Sequence, residues 1–195
     1  MVIDFVPRLL GRFSSAHIAA AQRAALFDLV ELIAPDAEKS CGRLEYVLAN
    51  ASWSASDPED TLIEVLFDGC DGGLVYFGRV VAGPDAIRSR LALLPTCPKG
   101  LTWDWYDGDI CKTEADLQTY LRLSGDHCRT VGTALIGVVT GKNGLVLGFL
   151  PSDKLERFIE LAATADAEIV IYGTVEPGAH RSNGPTDKSE INGPT

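Results

Sequence analysis

The sequence predicts an α+β fold made of two similar β-β-α-β halves behind an N-terminal helix, and three observations carry that expectation. Apolar residues recur at helical spacing in four separate stretches, interleaved with short runs that read as strands. Asn143-Gly144, the preferred pair for a two-residue type I′ turn, separates two of those strand-like runs. The order strand, hairpin, strand, helix, strand also occurs twice, from Leu62 to Asp109 and from Leu135 to Glu176. Each hairpin ends in Gly-Leu-Val, at Gly73 to Val75 and again 71 residues on at Gly144 to Val146. An internal duplication with antiparallel hairpins and helices packed on one face follows as the expected architecture.

The elements follow in order. "SSAHIAAAQRAALFDLVELIAP" reads as a helix capped by Ser14 or Ser15, with Ile18, Ala25, Leu26, Leu29, Val30 and Ile33 on one stripe and Pro35 closing it. "RLEYVL" alternates, with Leu44, Tyr46 and Leu48 on one side, and predicts a strand. "ANASWSASDPED" predicts a polar loop with Trp53 folded back onto the body. "TLIEVLF" and "LVYFGRVVA" predict a hairpin, because the glycines of "DGCDGG" between them allow a tight connection.

"GPDAIRSRLALLP" predicts a helix with Pro84 in its first turn and Ile87, Leu91 and Leu94 inward. "LTWDWYD" predicts the next strand. "TEADLQTYLRLSG" predicts a helix opened by Thr113 and closed by Gly125. "TVGTALIGVVTGK" and "LVLGFL" form the second expected hairpin. "PSDKLERFIELAATA" is the helix after it, with Leu155, Phe158, Ile159 and Ala162 inward, and "EIVIYGTV" is the last strand.

The expected organisation is therefore residues 1–60 as helix and strand leading into the first half, 61–110 as the first half, and 111–175 as a linking helix and the second half. Residues 176–195, almost without apolar side chains and repeating "NGPT", predict a disordered tail.

Composition excludes several function classes. The chain of 195 residues is 46% hydrophobic and 23% charged, which is enough to build a core without a disulfide or structural metal. Its five cysteines form no C-x-x-C pair and its three histidines are scattered, so no zinc site is expected. An odd number of dispersed thiols predicts a reducing, cytoplasmic setting. "MVIDFVPRLLGRF" is broken by Asp4, Pro7 and Arg8 and does not read as a signal peptide, and no run is long and apolar enough for a membrane span.

The net charge of −10 repels phosphate backbones, so no nucleic-acid role is expected and a basic protein partner is. The charge is uneven: Asp36 to Asp71 carries −7, Gly72 to Gly100 carries +3, and Leu101 to Asp126 carries −4.

The candidate site is "WDWYDGD", residues 103 to 109. Read as a strand, it sets Leu101, Trp103, Trp105 and Asp107 on one face and Thr102, Asp104 and Tyr106 on the other. The simplest outcome is that both tryptophans pack into the body. The functional reading makes Asp104, Tyr106, Asp107 and Asp109 a partner-binding rim, because aromatic anchors beside carboxylates suit lysine or arginine. Asp107 and Asp109 lack the remaining oxygens of a calcium loop, so no metal is expected there.

"GDHC" (Gly125 to Cys128) is the one place where acid, imidazole and thiol adjoin in sequence. Catalytic groups converge from different elements, however, so no catalytic residue is assigned. "GVVTGKNG" lacks the spacing and hydroxyl residue of a phosphate loop, and "DGCDGG" opens no helix, so no nucleotide or other cofactor is expected. The function expected is a small acidic interaction module without catalytic activity, of immunity-protein or chaperone type. The alternatives are a small enzyme using Asp107, Asp109, His127 or Cys128 between the halves, and a ligand-sensing domain.

Overall fold

The computed structural model describes residues 15–50, 58–67, 72–77, 83–105, 114–139 and 144–173. In chain order these form α1 (Ser15–Ile33), α2 (Ala37–Asn50), α3 (Pro58–Leu66), β1 (Leu74–Phe77), α4 (Pro84–Leu91), α5 (Glu114–Thr130), β2 (Thr133–Val139), β3 (Leu145–Pro151), α6 (Leu155–Ala165) and β4 (Ile169–Tyr172). A short 3-10 turn at Ser152–Lys154 leads into α6. The strands make one antiparallel sheet in the order β1-β3-β2-β4. The fold is α+β, as the patterning predicts.

The β2–β3 hairpin forms, with Val139 opposite Leu145 and Thr133 opposite Pro151, whereas a two-residue turn at Asn143-Gly144 would set Lys142 opposite Leu145. Its turn at residues 140–143 lies outside the described residues. The helices α1, α4 and α6 and the strand β4 fall where their apolar spacing places them. Asp166, in the left-handed conformation at φ 59°, ends α6, and its N–H caps the carbonyls of Ala162 and Ala163.

Three expected strands are not strands. "RLEYVL" lies inside α2, where Leu44, Val47 and Leu48 are buried and Tyr46 is 69% exposed. That spacing of three and four residues defines one helical face, and it separates Tyr46 from the leucines that alternation would group with it. "TLIEVLF" lies almost wholly in α3: Leu62, Val65 and Leu66 are buried, and Glu64 faces out. Pro58 in the first turn, with Glu59 and Asp60 beside it, starts this helix and suits its dipole. Of "LTWDWYD", Leu101 to Trp105 are irregular chain with a turn at Asp104 and Trp105, and the rest lies outside the described residues.

These differences remove the internal duplication. A helix stands where the first hairpin's opening strand was expected, and β1 pairs with β3, setting Leu74 opposite Gly148. The two Gly-Leu-Val stretches therefore lead into neighbouring strands of one sheet.

Helices cover both faces of that sheet, not one. Ala134, Ile136, Val138, Val146 and Leu150 join Leu26, Leu29, Val30, Leu62, Phe158 and Ala162 in one core. The alternate side chains Leu135, Leu147, Phe149, Val75 and Phe77 pack with Ile87 and Leu91 of α4 and Tyr120, Leu121 and Cys128 of α5 in the other. A strand buried on both faces needs apolar residues at every position, which is why β2 and β3 read as unbroken runs. The expected tail, residues 176–195, lies outside the described residues.

Candidate functional site

The helix α5 and the chain from Leu101 to Trp105 make an aromatic wall on the second core. α5 continues past Gly125 to Thr130, so that glycine is not the cap its position suggests. It lies against β4: a Cβ there would fall on the backbone carbon and oxygen of Tyr172 and 2.6 Å from the nitrogen of Gly173. Gly125 thus lets a helix and a strand touch backbone to backbone. This contact brings Tyr120 and His127 to the side where Trp105 arrives.

Trp105 stacks on Tyr120 with ring centroids 5.8 Å apart and meets His127 edge-on at 5.0 Å. Trp103 lies tilted against Trp105 at 6.3 Å. Both tryptophans are partly buried against the core, whereas Asp104 between them is exposed. Offset and edge-on arrangements of this kind stabilise beyond their buried area, so the wall is held rigid. Of the rim expected from sequence, Asp104 is therefore displayed beside two anchored rings. Tyr106, Asp107 and Asp109 lie outside the described residues.

His127 and Cys128 are successive residues of one helix and diverge. His127 stays at the partly exposed aromatic wall, and Cys128 is fully buried. Burial first, then the neighbouring Cys97 thiol, pushes the Cys128 thiol up from 9.0 to about 12. The neutral thiol, a poor nucleophile, is the form at neutral pH. Burial likewise raises Cys41, with Glu31 and Glu45 adding to it, and raises Cys97.

A thiol held neutral in the fold contributes stability below its unfolded pKa and loses it as pH rises toward the folded value. For Cys128 that window runs from pH 9.0 to about 12, and Tyr172, pushed up to about 12 by burial, acts in the same direction. Stability is expected to fall above pH 9, and thiol labelling in native buffer is expected to leave Cys128 unmodified until the chain unfolds. Mass spectrometry of peptides labelled with and without urea checks this, and rapid native labelling of Cys128 would contradict it.

Two other features bear on a site. A shallow groove of about 380 Å³ between α1 and α6 is lined by Asp28, Glu31, Leu32, Lys154, Arg157 and Leu161. Arg157 bridges it to Asp28 at 3.0 Å. Among the described residues no three His, Cys, Asp or Glu side chains gather as metal ligands, and no helix is long and apolar enough to cross a membrane.

The architecture defines a class: an α+β domain with a four-stranded antiparallel sheet clad by helices on both faces, with an aromatic wall beside α5. Within that class the chain belongs to the family described as a domain of unknown function, DUF6630, whose match spans residues 25–172. The matched region starts in α1 at Ala25 and ends with the last residue of β4. No curated protein and no solved structure matches the chain.

The sequence pointed to Trp103 and Trp105 but not to their partners. Tyr120 and His127 are seven residues apart on α5, two helical turns, and that spacing on one face was the available signal.

Proposed function

We propose that this protein is a non-catalytic interaction module that binds a basic partner protein in the cytoplasm, in the manner of an immunity protein or chaperone. The observation that carries the reading is Asp104, exposed between two tryptophans that are themselves anchored on Tyr120 and His127. Pre-positioned aromatic rings lose little conformational freedom on binding, and a carboxylate beside them offers a charge-assisted bond to lysine or arginine. Tyr106, Asp107 and Asp109 follow directly in the chain and extend the same acidic and aromatic composition. The net charge of −10 supports the choice of a basic partner over a nucleic acid, and free thiols at Cys41, Cys97 and Cys128 suit a reducing compartment.

A pull-down from the native host at low and moderate salt supplies the partner for the decisive measurement. Changing Asp104, Asp107 and Asp109 together to Asn is then expected to slow stopped-flow association several-fold at low salt. The difference from the unaltered protein should shrink as added salt shortens the Debye length to about 8 Å. Unchanged association rates with an intact thermal melt would sink the reading.

A further inference from the structure

The sheet has two edges, and the fold treats them differently. The antiparallel registers are consistent across all three pairs, so the direction of each backbone group follows from alternation. Val139 donates to the Glu168 carbonyl at 3.0 Å, so within the register of β2 and β4 the inward-bonding residues of β4 are Val170 and Tyr172. The N–H and C=O groups of Ile169 and Ile171 point away from the sheet. On the opposite side, Ser152 donates to the Gly132 carbonyl, and the same alternation carried through β3 turns Leu74 and Tyr76 of β1 outward.

The β1 edge is guarded. Arg90 of α4 donates from Nη1 to the outward Tyr76 carbonyl at 3.2 Å, and its guanidinium lies 5.4 Å from the centre of the Phe77 ring. A charged side chain on an edge strand is a common way to prevent pairing. The β4 edge has no such guard within it. Its four residues, Ile-Val-Ile-Tyr, are uncharged, and all are partly exposed, whereas the central strand β2 is buried from Thr133 to Val138. Among the described residues no hydrogen bond reaches the outward groups of Ile169 and Ile171.

Charge beside the start of this edge selects the occupant. Glu168 and Asp166 precede β4, and the Glu59 carboxylate accepts the Glu168 N–H at 2.6 Å, which brings a second glutamate to that end. At the other end Gly173 lies against Asp126, which Arg122 pairs at 3.4 Å. From Phe158 to His180 the sequence holds no lysine or arginine and four acids. A second copy would bring together two chains that each carry a net charge of −10. Like net charges disfavour self-pairing.

We propose that the open edge of β4 receives an extended segment of a partner protein as an added strand, β-branched or apolar at alternate positions and flanked by lysine or arginine. Main-chain bonds to Ile169 and Ile171 supply the affinity, and Glu59 and Glu168 beside the start of β4 set the charge of the flanks. The choice of basic flanks rests on the basic-partner reading above, whereas the open edge itself does not.

The test uses the full chain and a short synthetic peptide of alternating valine and threonine with lysines at both ends, beside serine-ended and N-methylated versions. Hydrogen exchange by NMR should show Ile169 and Ile171 amides exchanging fast in the free protein while Val170 and Tyr172 are protected. The lysine-ended peptide should slow Ile169 and Ile171 specifically. The serine-ended peptide should bind on the order of tenfold more weakly and the N-methylated one not at all. Ile171→Pro, which removes an outward donor, should weaken binding about fivefold to tenfold with the fold retained.

Protection of Ile169 and Ile171 in the free protein would overturn the proposal: if independent of concentration, the chain covers its own edge, and if it grows with concentration, a second copy does. Peptide binding that leaves both amides untouched would also overturn it. Failure of every peptide, with the Asp104 substitutions still slowing partner association, would sink the edge alone. Equal binding by lysine-ended and serine-ended peptides would overturn the charged flanks and count against the basic-partner reading too.

Discussion

Replacing Gly125 with alanine is expected to lower the melting temperature by roughly 10 °C. The added Cβ would fall on the backbone of Tyr172, and backbone cannot rotate aside as a side chain can. Overpacking costs about 1–3 kcal/mol where neighbours can adjust, and this site belongs at or above the top of that range. For a domain of this size each kcal/mol moves the midpoint by about 2–4 °C. Gly42 is the control: it lies in α2 with nothing within 4 Å of an added Cβ. Gly42→Ala should be neutral or stabilise by up to about 1 kcal/mol, because alanine is the better helix former. Circular dichroism melts of the two variants check both. If Gly125→Ala melts like the unaltered protein, α5 and β4 do not touch as described.

The second large effect is expected at Trp105. Its ring fills the space between Trp103, Tyr120 and His127, so truncation to alanine removes three ring contacts at once. A loss of about 3 kcal/mol is expected, the low end for tryptophan, because Trp105 keeps part of its surface in water. Denaturant titration gives the value directly. Trp105→Phe should recover about half of it by keeping a ring on Tyr120. Asp104→Asn, one residue away, should leave stability unchanged within about 0.5 kcal/mol. A destabilised Asp104→Asn protein, or a stable Trp105→Ala protein, would reverse the roles assigned to these neighbours.

How much of this was legible in the sequence depends on window length. α1 spans five turns and α6 three, long enough for helical spacing to outweigh any accidental alternation, and β2 and β3 are unbroken apolar runs close together in sequence. In the six residues of "RLEYVL" Leu44 and Leu48 satisfy both periods, since four is a multiple of two and also close to one helical turn. Val47, buried at helical spacing from Leu44, decides the matter. In α3 the start signal of Pro58, Glu59 and Asp60 was present and outweighs the β-like residues that follow. Trp103, Asp104 and Trp105 imitate a strand because aromatic and acidic residues alternate there. What places Trp103 and Trp105 is contact with α5, and local pattern does not encode that. Gly125 shows the same limit, since a glycine that ends a helix and one that admits a neighbouring backbone look alike in sequence.

The strand order also sets the sequence of events in folding. β2 and β3 are separated by a short stretch of sequence, from Val139 to Leu145, whereas β1 must find β3 by closing the chain from Phe77 to Leu145. That loop is an order of magnitude longer, and its closure costs about 2 kcal/mol more in chain entropy. The hairpin can therefore form early, with α6 and β4 following locally, while β1 joins only when the rest is in place. Until then the free side of β3, with Leu147 and Phe149 exposed, is the stretch of the nascent chain most open to wrong pairing. The interval before β1 docks is where aggregation would compete with folding.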